Sequence, residues 1–312
     1  MYICQQNNPT YYKMKKIFLL LILFISTYSY SQDKFTVAEI GYMISPSNKY
    51  ENSGISSNIG YLSGTLNFPV FSKGNTTFLA GFRGNMWTVN YNPEQIWPVN
   101  YYSLGLTLTY NRKLKNDNSF LFVLLPRYNS DLRHSSSEAW QLGFLSYYSK
   151  RTSEKFLWKA GMYVNTEFFG LFVVPVFGLD WDIGNKLSIS GDIPIWAKIN
   201  YQVSGKFSTG LAYIALVSTY RLTGDFNNAY TSRYAIEPYL YADLQVVKNI
   251  FLRGKLGYAI DRKYPVYAKD DKLDWQLSMI KFGDDRTQLN PVINNGLFIE
   301  FTLSYKVDIP SD

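Results

Sequence analysis

Alternating apolar and polar residues mark the C-terminal segment from Gly296 to Val307. Every second residue from Leu297 onward is apolar, and the positions between them from Glu300 onward are polar or charged. Side chains of a β-strand point alternately to its two faces, so this pattern predicts a strand with one apolar and one polar face. Its length suits a tilted strand that crosses a bilayer, which needs about 9–11 residues, better than a soluble strand of about five or six. We therefore expect the apolar face to contact lipid and the polar face to line a lumen.

The same alternation recurs upstream and predicts fourteen strands in all. The predicted strands are residues 35–45, 54–71, 76–91, 101–111, 120–129, 139–150, 156–166, 172–183, 186–192, 195–203, 207–220, 234–247, 250–261 and 296–307. Short turns alternate with generally longer loops along this series, which is typical of outer-membrane barrels. The strand assignment is weakest at 192–194, where two short strands share a very tight connection. A barrel of twelve strands is the alternative, if the opening segments lie outside the wall. The predicted fold is therefore all-β, a transmembrane antiparallel up-and-down β-barrel of about 14 strands.

The first 31 residues are predicted to be a cleaved signal peptide, so that the barrel comprises residues 32–312. The features of the signal are Lys15 and Lys16, an apolar run at 17–25, and the small residues Ser29 and Ser31 at peptidase spacing. The apolar run is too short to cross a bilayer as a helix, and a retained N-terminal anchor is the alternative. Met14 is the more natural initiator. Cleavage would remove Cys4, the one cysteine of the chain, so the mature protein would have no disulfide.

Composition narrows the class further. Aromatic residues make up 18% of the chain, with 27 Tyr and 7 Trp, and these two side chains favour the headgroup level of a membrane. The mean hydropathy is −0.15, and no segment after the signal has the length of apolar residues that a helical span requires. Strands that cross hydrocarbon must close into a barrel, because an open edge leaves backbone groups unpaired. The net charge of +7 comes without a basic run or stripe, which argues against nucleic acid as a partner.

The signal that ends in Ser31-Gln32, the Tyr-rich alternating body and the alternating last strand resemble the outer-membrane β-barrel proteins of Bacteroidota. Within that group the chain resembles an uncharacterised family of signal-bearing barrels of about 300 residues, over essentially all of residues 14–312. The resemblance implies that the protein lies in the cell outer membrane, where the lipid bilayer surrounds it. It also implies that the barrel-assembly machinery is its partner for insertion. It implies no catalytic residue. The segment from Asp308 to Asp312 after the last strand departs from barrels that end on an aromatic residue, so an insertion signal would be internal.

One histidine provides the sharpest catalytic candidate. His134 and Ser136 are two residues apart, a spacing that places a general base and a nucleophile on one face of a strand in outer-membrane lipid hydrolases. The segment lies in a predicted loop, however, where alternation does not hold and serine is common for turn formation. A solvated loop histidine is the alternative interpretation.

No metal or cofactor site is predicted. One histidine and a mature chain without cysteine cannot form a zinc site. Asp270-Asp271 and Asp284-Asp285 offer carboxylates for calcium, but their spacing matches no EF-hand, and neighbouring Lys and Arg residues favour ordinary solvated charge. No glycine-rich phosphate loop precedes a helical segment, so we expect no cofactor.

The predicted lumen provides the remaining candidate site. The polar faces of the last three strands carry Glu237, Asp243, Arg253, Lys255, Glu300 and Lys306. These side chains would line a path for solutes, form a plug, or make interior salt bridges that only hold the wall together. The long charged segment 262–291 would fold inward as a constriction. These features favour a non-enzymatic channel or binding barrel for small solutes; the alternatives are a lipid hydrolase or acyltransferase that uses His134 and Ser136, and an adhesive or structural barrel that acts through its loops.

Overall fold

The computed structural model describes residues 34–51, 54–90, 99–224 and 228–308, and most of these residues are in β-strands. The predicted signal peptide at 1–31 lies outside the described residues. The strands are β1 Lys34–Lys49, β2 Ser56–Lys73, β3 Thr76–Val89, β4 Val99–Lys113, β5 Ser119–Ser130, β6 Trp140–Ser153, β7 Phe156–Glu167, β8 Gly170–Ile183, β9 Leu187–Ile193, β10 Trp196–Ser204, β11 Phe207–Leu222, β12 Ala229–Val247, β13 Ile250–Lys263, β14 Val266–Ala268, β15 Trp275–Leu277, β16 Ile280–Phe282 and β17 Gly296–Asp308. Two single turns of 3-10 helix occur at Lys115–Asp117 and Ser137–Ala139.

Fourteen of these strands close into a ring. Each strand from β1 to β12 pairs antiparallel with the next, and β17 pairs antiparallel with both β13 and β1. The protein is therefore a closed fourteen-stranded antiparallel barrel, which confirms the predicted fold and strand number. An ion pair of 2.6 Å between Lys34 and Asp308 lies where the first and last strands meet.

The tight joint at 192–194 is a genuine hairpin between two wall strands. The Ile195 amide donates to the Asp192 carbonyl at 2.8 Å, and β9 and β10 pair from Trp196↔Asp192 down to Tyr201↔Leu187. With seven and nine residues, β9 and β10 are the shortest strands of the wall. The barrel is consequently lower at this hairpin than on either side of it.

Two sequence predictions were wrong in detail. Residues 223–232 were predicted as loop, but β12 begins at Ala229, in register with Leu222 of β11. All residues from Ala229 to Arg233 are buried, so this end of β12 has no exposed face and no apolar-polar alternation. The segment 262–291, predicted as one long loop, contains the last residues of β13 and the strands β14, β15 and β16; these three strands have three residues each and are too short to show a period.

The outside of the barrel is apolar. Along β17, Leu297 and Phe301 are each 58% exposed, whereas the inward Thr302 and Ser304 are each 4% exposed. Large exposed apolar side chains occur on every wall strand from β1 to β13 as well. Hydrocarbon can cover such a band, and the closed ring leaves no backbone edge exposed to it. Among the described residues there is no helix long and apolar enough to span a membrane.

Candidate functional site

The upper ends of β11 and β12, at the side of the longer loops, fold inward across the lumen. Arg221 of β11 forms a parallel bridge with Ser130 of β5, although these strands lie six places apart in the ring of fourteen. The rings of Tyr101 on β4 and Tyr220 on β11 are 4.4 Å apart, and these two strands are on opposite sides of the ring. Contacts that span the full diameter close the lumen at this level.

A buried polar network fastens this inward fold. The Glu167 carboxylate, whose side chain is fully buried, accepts a hydrogen bond from Arg127 at 2.5 Å through one oxygen. Its other oxygen accepts from the Thr219 hydroxyl at 2.6 Å and from the Thr219 amide at 3.1 Å. Asn129 and Gln141 add hydrogen bonds to the carbonyl and hydroxyl of the same threonine, at 2.9 and 2.7 Å. We call Arg127, Asn129, Gln141, Glu167 and Thr219 the latch, because they join β5, β6 and β7 to β11.

Both faces of the inward-folded hairpin are covered by apolar side chains. On one face, Tyr220, Leu222 and Ala229 belong to a buried cluster with residues of β1 to β4. On the other face, Tyr230 packs with Phe169 and Phe172 near the start of β8. A wall strand would expose one of these faces to lipid. The burial of both faces therefore shows that the hairpin tip has left the wall.

A cavity of about 980 Å³ lies in the lumen against the latch. Inward residues that line it are mostly apolar or aromatic: Leu121, Val123, Leu145, Tyr147, Tyr163, Phe172, Val174 and Tyr213. Arg127 of the latch also lines it. Gly161 makes room for Tyr147, because a Cβ atom at Gly161 would clash with the backbone and Cβ of Tyr147 and its neighbour. The lining also includes the charged residues Arg83, Lys263 and Lys281 and polar residues such as Asn85, Thr107 and Gln276. The arrangement is a chamber with a mainly apolar surface and several polar groups, which is compatible with a small-molecule site.

The six residues predicted to line the lumen face inward, and ion pairs hold most of them. Arg253 donates two hydrogen bonds to Asp243, at 2.5 and 2.6 Å, and the two residues are directly opposite each other on β12 and β13. Lys255 and Glu300, opposite each other on β13 and β17, are 2.8 Å apart. These are pairs between neighbouring strands, so they stabilise the wall and leave the lumen uncrossed.

The other two predicted residues differ. Glu237 accepts a hydrogen bond from Arg233 at 2.5 Å, and Arg262 lies 3.8 Å from the same carboxylate. The Lys306 ammonium lies 4.8 Å from the centre of the Phe251 ring. None of the six predicted residues lines the 980 Å³ cavity.

The two catalytic candidates occupy an exposed loop end. The Ser136 hydroxyl accepts a hydrogen bond from the Glu138 amide at 3.2 Å, as the cap of the second 3-10 turn. His134 is fixed through its backbone, whose amide donates to the Thr223 hydroxyl at 3.0 Å. Among the described residues, no hydrogen bond joins the His134 ring to Ser136. The structure therefore does not bring the two side chains together as a base and a nucleophile.

One member of each acidic pair in the segment after β13 is engaged with a cation or an amide. Arg286 donates to both Asp284 oxygens, at 2.6 and 3.0 Å, and Lys281 is 3.2 Å from the same carboxylate. The hydrogen bonds from Arg286 are the main reason that the pKa of Asp284 falls to about 2. Asp271 accepts from the Thr287 amide at 2.8 Å. The described residues contain no group of three or more His, Cys, Asp or Glu side chains placed to hold a metal ion.

Sequence reasoning missed the latch. A signal for part of it was present, because Arg127 and Asn129 continue the inward positions Leu121 and Val123 along β5, and a switch from apolar to polar residues on the lumen face marks a change of surroundings. No local sequence pattern indicates that Thr219 is the hydrogen-bond partner of Glu167, since the two residues are 52 positions apart.

The sequence profile of a domain of unknown function, DUF6268, matches residues 63–294 of the chain. The protein belongs to the DUF6268 family. The matched region runs from β2 to just before β17, so it includes every residue of the latch and most of the cavity wall. Comparison with curated proteins gave no match.

Three solved structures illustrate the likeness in fold. An outer membrane channel from Pseudomonas putida F1 has a TM-score of 0.43 and 10% identity, and the alignment covers 90% of this chain and 100% of the other. The translocator domain of the autotransporter NalP from Neisseria meningitidis has a TM-score of 0.37 and 10% identity, with coverage of 95% and 96%. The toluene transporter TodX from Pseudomonas putida has a TM-score of 0.38 and 9% identity, with coverage of 90% for each chain. At such scores the likenesses carry no functional information.

Proposed function

We propose that this DUF6268 protein is a non-enzymatic barrel of the bacterial outer membrane that binds small solutes in its lumen and passes them across the membrane. The observation that carries this proposal is the chamber of about 980 Å³ inside a barrel whose lumen is closed beside it by the latch. A wide water-filled pore would need no such chamber.

The surface of the barrel supports the location. A closed antiparallel ring with an apolar outside and a polar or aromatic inside is stable in a bilayer and unfavourable in water. Short turns on one side and longer connections on the other are the arrangement of outer-membrane barrels, in which the short turns face the periplasm. The resemblance to Bacteroidota outer-membrane barrels and the predicted signal peptide agree with this location.

The chamber supports binding in preference to free conduction. Its volume lies at the upper end of the range for small-molecule sites, about 300–1,000 Å³. Contacts across the lumen at Tyr101–Tyr220 and Glu167–Thr219 would block the path of ions. We therefore expect the resting protein to bind solute with little steady conductance.

Two measurements on the purified mature chain test the proposal. In planar bilayers it should give rare, brief conductance steps, and in nanodiscs it should bind at least one of two probes, naphthalene and glucose. Val123→Glu places a charge in the apolar chamber and should abolish binding, because an unpaired charge is costly there. Val123→Ile is the matched control and should retain binding. A barrel that binds neither probe would overturn the proposal, whatever its conductance.

A further inference from the structure

The barrel wall has a gap above the low β9–β10 hairpin. On one side of it, β8 pairs with β9 only from Phe177 onward, so its earlier residues have no wall partner there. On the other side, the pairing of β11 with β10 ends at Ile214, and the Ala215 amide makes the last hydrogen bond, to Ile195. The strands on either side continue upward past the tip of the hairpin.

A small hairpin of β15 and β16 covers this gap, and its strands form a backbone ladder with β8 on one side alone. Strand β15 pairs in parallel with Leu171–Val173 of β8, and the Ser278 amide donates to the Val173 carbonyl at 2.8 Å. Strand β16 pairs with β15 and with no other strand in the described parts of the chain. On the β11–β12 side, the Lys281 ammonium lies 5.0 Å from the centre of the Tyr234 ring. The segments that flank the hairpin also contact Tyr230 of β12, whose hydroxyl donates to the Asp271 carbonyl at 2.6 Å and accepts from Arg286 at 3.2 Å. The line between β16 and β11, which we call the seam, is thus closed by side chains without a backbone ladder.

The luminal cavity extends into the seam. Leu216 and Val217 are consecutive residues of β11, so they point to opposite faces of the strand, yet both line the cavity. Both residues lie beyond the last pairing of β11 with β10, so the cavity borders the free edge of β11 at this level. Met279, at the turn of the small hairpin, also lines the cavity and is 70% exposed. The chamber therefore reaches the outer surface at this point.

The surroundings of the seam on the outside are apolar. Large exposed apolar side chains surround the seam on β8, β9, β11 and the small hairpin. They are Leu171, Ile193, Leu216, Trp275, Met279 and Ile280. Such surroundings are suited to hydrocarbon and unfavourable for water. A molecule that leaves the chamber through the seam would enter the lipid without crossing an aqueous phase.

We propose that the seam is a lateral portal between the luminal chamber and the bilayer, and that the solutes of this barrel are small apolar or aromatic molecules. The inference rests on the proposed function and specifies its solute class and route. The small hairpin acts as the door, because a backbone ladder joins it to β8, whereas contacts of side chains alone join it and its flanks to β11 and β12. Apolar solutes follow from the chamber lining and from an exit that opens into hydrocarbon.

The test closes the seam with a covalent link. In a Cys4→Ser background, Leu216→Cys and Met279→Cys are joined by a short bismaleimide that contains a reducible disulfide. The matched control links Leu171→Cys to Trp275→Cys, which fastens β15 to the strand it already pairs with. Protein in nanodiscs is loaded with labelled naphthalene and mixed with excess protein-free phosphatidylcholine vesicles, and release of the label is followed over time, with empty nanodiscs subtracted.

Closing the seam should slow naphthalene release about tenfold or more without changing the amount bound at equilibrium, since a closed gate limits exchange and not affinity. Reductant should restore the rate, and the control link should leave it unchanged. Normal binding with a release rate within about twofold of the unlinked protein would overturn the portal alone. Absence of naphthalene binding in every variant would overturn the solute class, and absence of binding of glucose as well would overturn the proposed function. Leu216→Trp, which enlarges the side chain at the seam without a linker, is judged by the same criterion if the linked protein fails to insert.

Discussion

The two halves of the barrel use the same kinds of polar residue in different ways. On the side of the short turns, Asp243 pairs with Arg253 directly across a strand boundary, and Lys255 pairs with Glu300 in the same manner. On the side of the longer connections, Glu167 of β7 bonds to Thr219 of β11, four strands away. The first kind of contact survives whether the lumen is open or closed. The second exists only while the β11–β12 tip lies across the lumen.

This contrast separates residues that hold the wall from residues that control access. Side chains that pair between neighbours cannot report on the state of the lumen. Latch residues must lose their partners if the tip moves, so their hydrogen bonds add directly to the free-energy difference between closed and open states. Substitutions in the two halves should therefore have different effects on conductance even where their effects on stability are similar.

Glu167→Gln should have the largest effect. It leaves the buried Arg127 charge without its carboxylate, and the loss of one partner of a buried pair costs about 3–5 kcal/mol. We expect more frequent and longer conductance steps in planar bilayers and a lower urea midpoint in lipid vesicles. Asp243→Asn is the matched control in the other half, where the side chains of the pair are 17% and 29% exposed, and it should leave conductance unchanged. Equal conductance in the two variants would contradict the distinction between the halves.

Thr219→Val should have an intermediate effect. The substitution keeps the shape of the side chain and removes the hydroxyl that donates to Glu167 and accepts from Gln141, at a cost of about 1–3 kcal/mol for buried groups left unpaired. Conductance should rise, by less than in Glu167→Gln. Thr209→Val on the same strand removes a hydroxyl that bonds only to the Tyr241 carbonyl of the neighbouring β12, so it should not alter conductance. A rise in both variants would mean that β11 as a whole, and not the latch, controls the lumen.

The smallest expected effect is a loss of local stability at low pH in the segment that covers the gap. The pKa of Asp284 is lowered to about 2 by Arg286, so the pair stabilises the folded segment above the ordinary carboxyl pKa of about 4, and this stability is lost as the pH falls from there through about 2. The hydrogen-exchange protection factor of the Leu289 amide, which donates to the Val266 carbonyl, should be high at pH 5 and lower at pH 3, after the intrinsic exchange rate at each pH has been divided out. In Asp284→Asn the protection factor should be low at both values. Identical profiles would show that the pair does not hold the segment.

Regular alternation made most of the wall predictable from the sequence. Thirteen of the fourteen predicted wall strands begin and end within about four residues of the observed ones, because lipid on one face and a polar interior on the other impose a period of two. The start of β12 at Ala229 could not be predicted in this way, since burial of both faces removes the period. The gap above β9 and β10 and its cover depend on strand lengths and on three-residue strands, which leave no periodic signal.

The candidate site was less accessible to sequence reasoning. The inward direction of Glu237, Asp243, Arg253, Lys255, Glu300 and Lys306 followed from alternation, but their solute-binding role stays a prediction. His134 and Ser136 also fit a spacing rule, yet the rule presumes a strand where the chain forms a loop and a 3-10 turn. Contacts across the lumen, such as Tyr101 with Tyr220, join residues that no local pattern relates.

The pairing of β1 with β17 has a consequence for biogenesis. The Lys34 and Asp308 side chains that meet there are 274 positions apart, so the ring cannot be sealed before almost the whole polypeptide has been synthesised. Until then both terminal strands are unprotected edges that invite wrong partners. The seal between them is a long-range contact, the kind that forms slowly in a folding polypeptide.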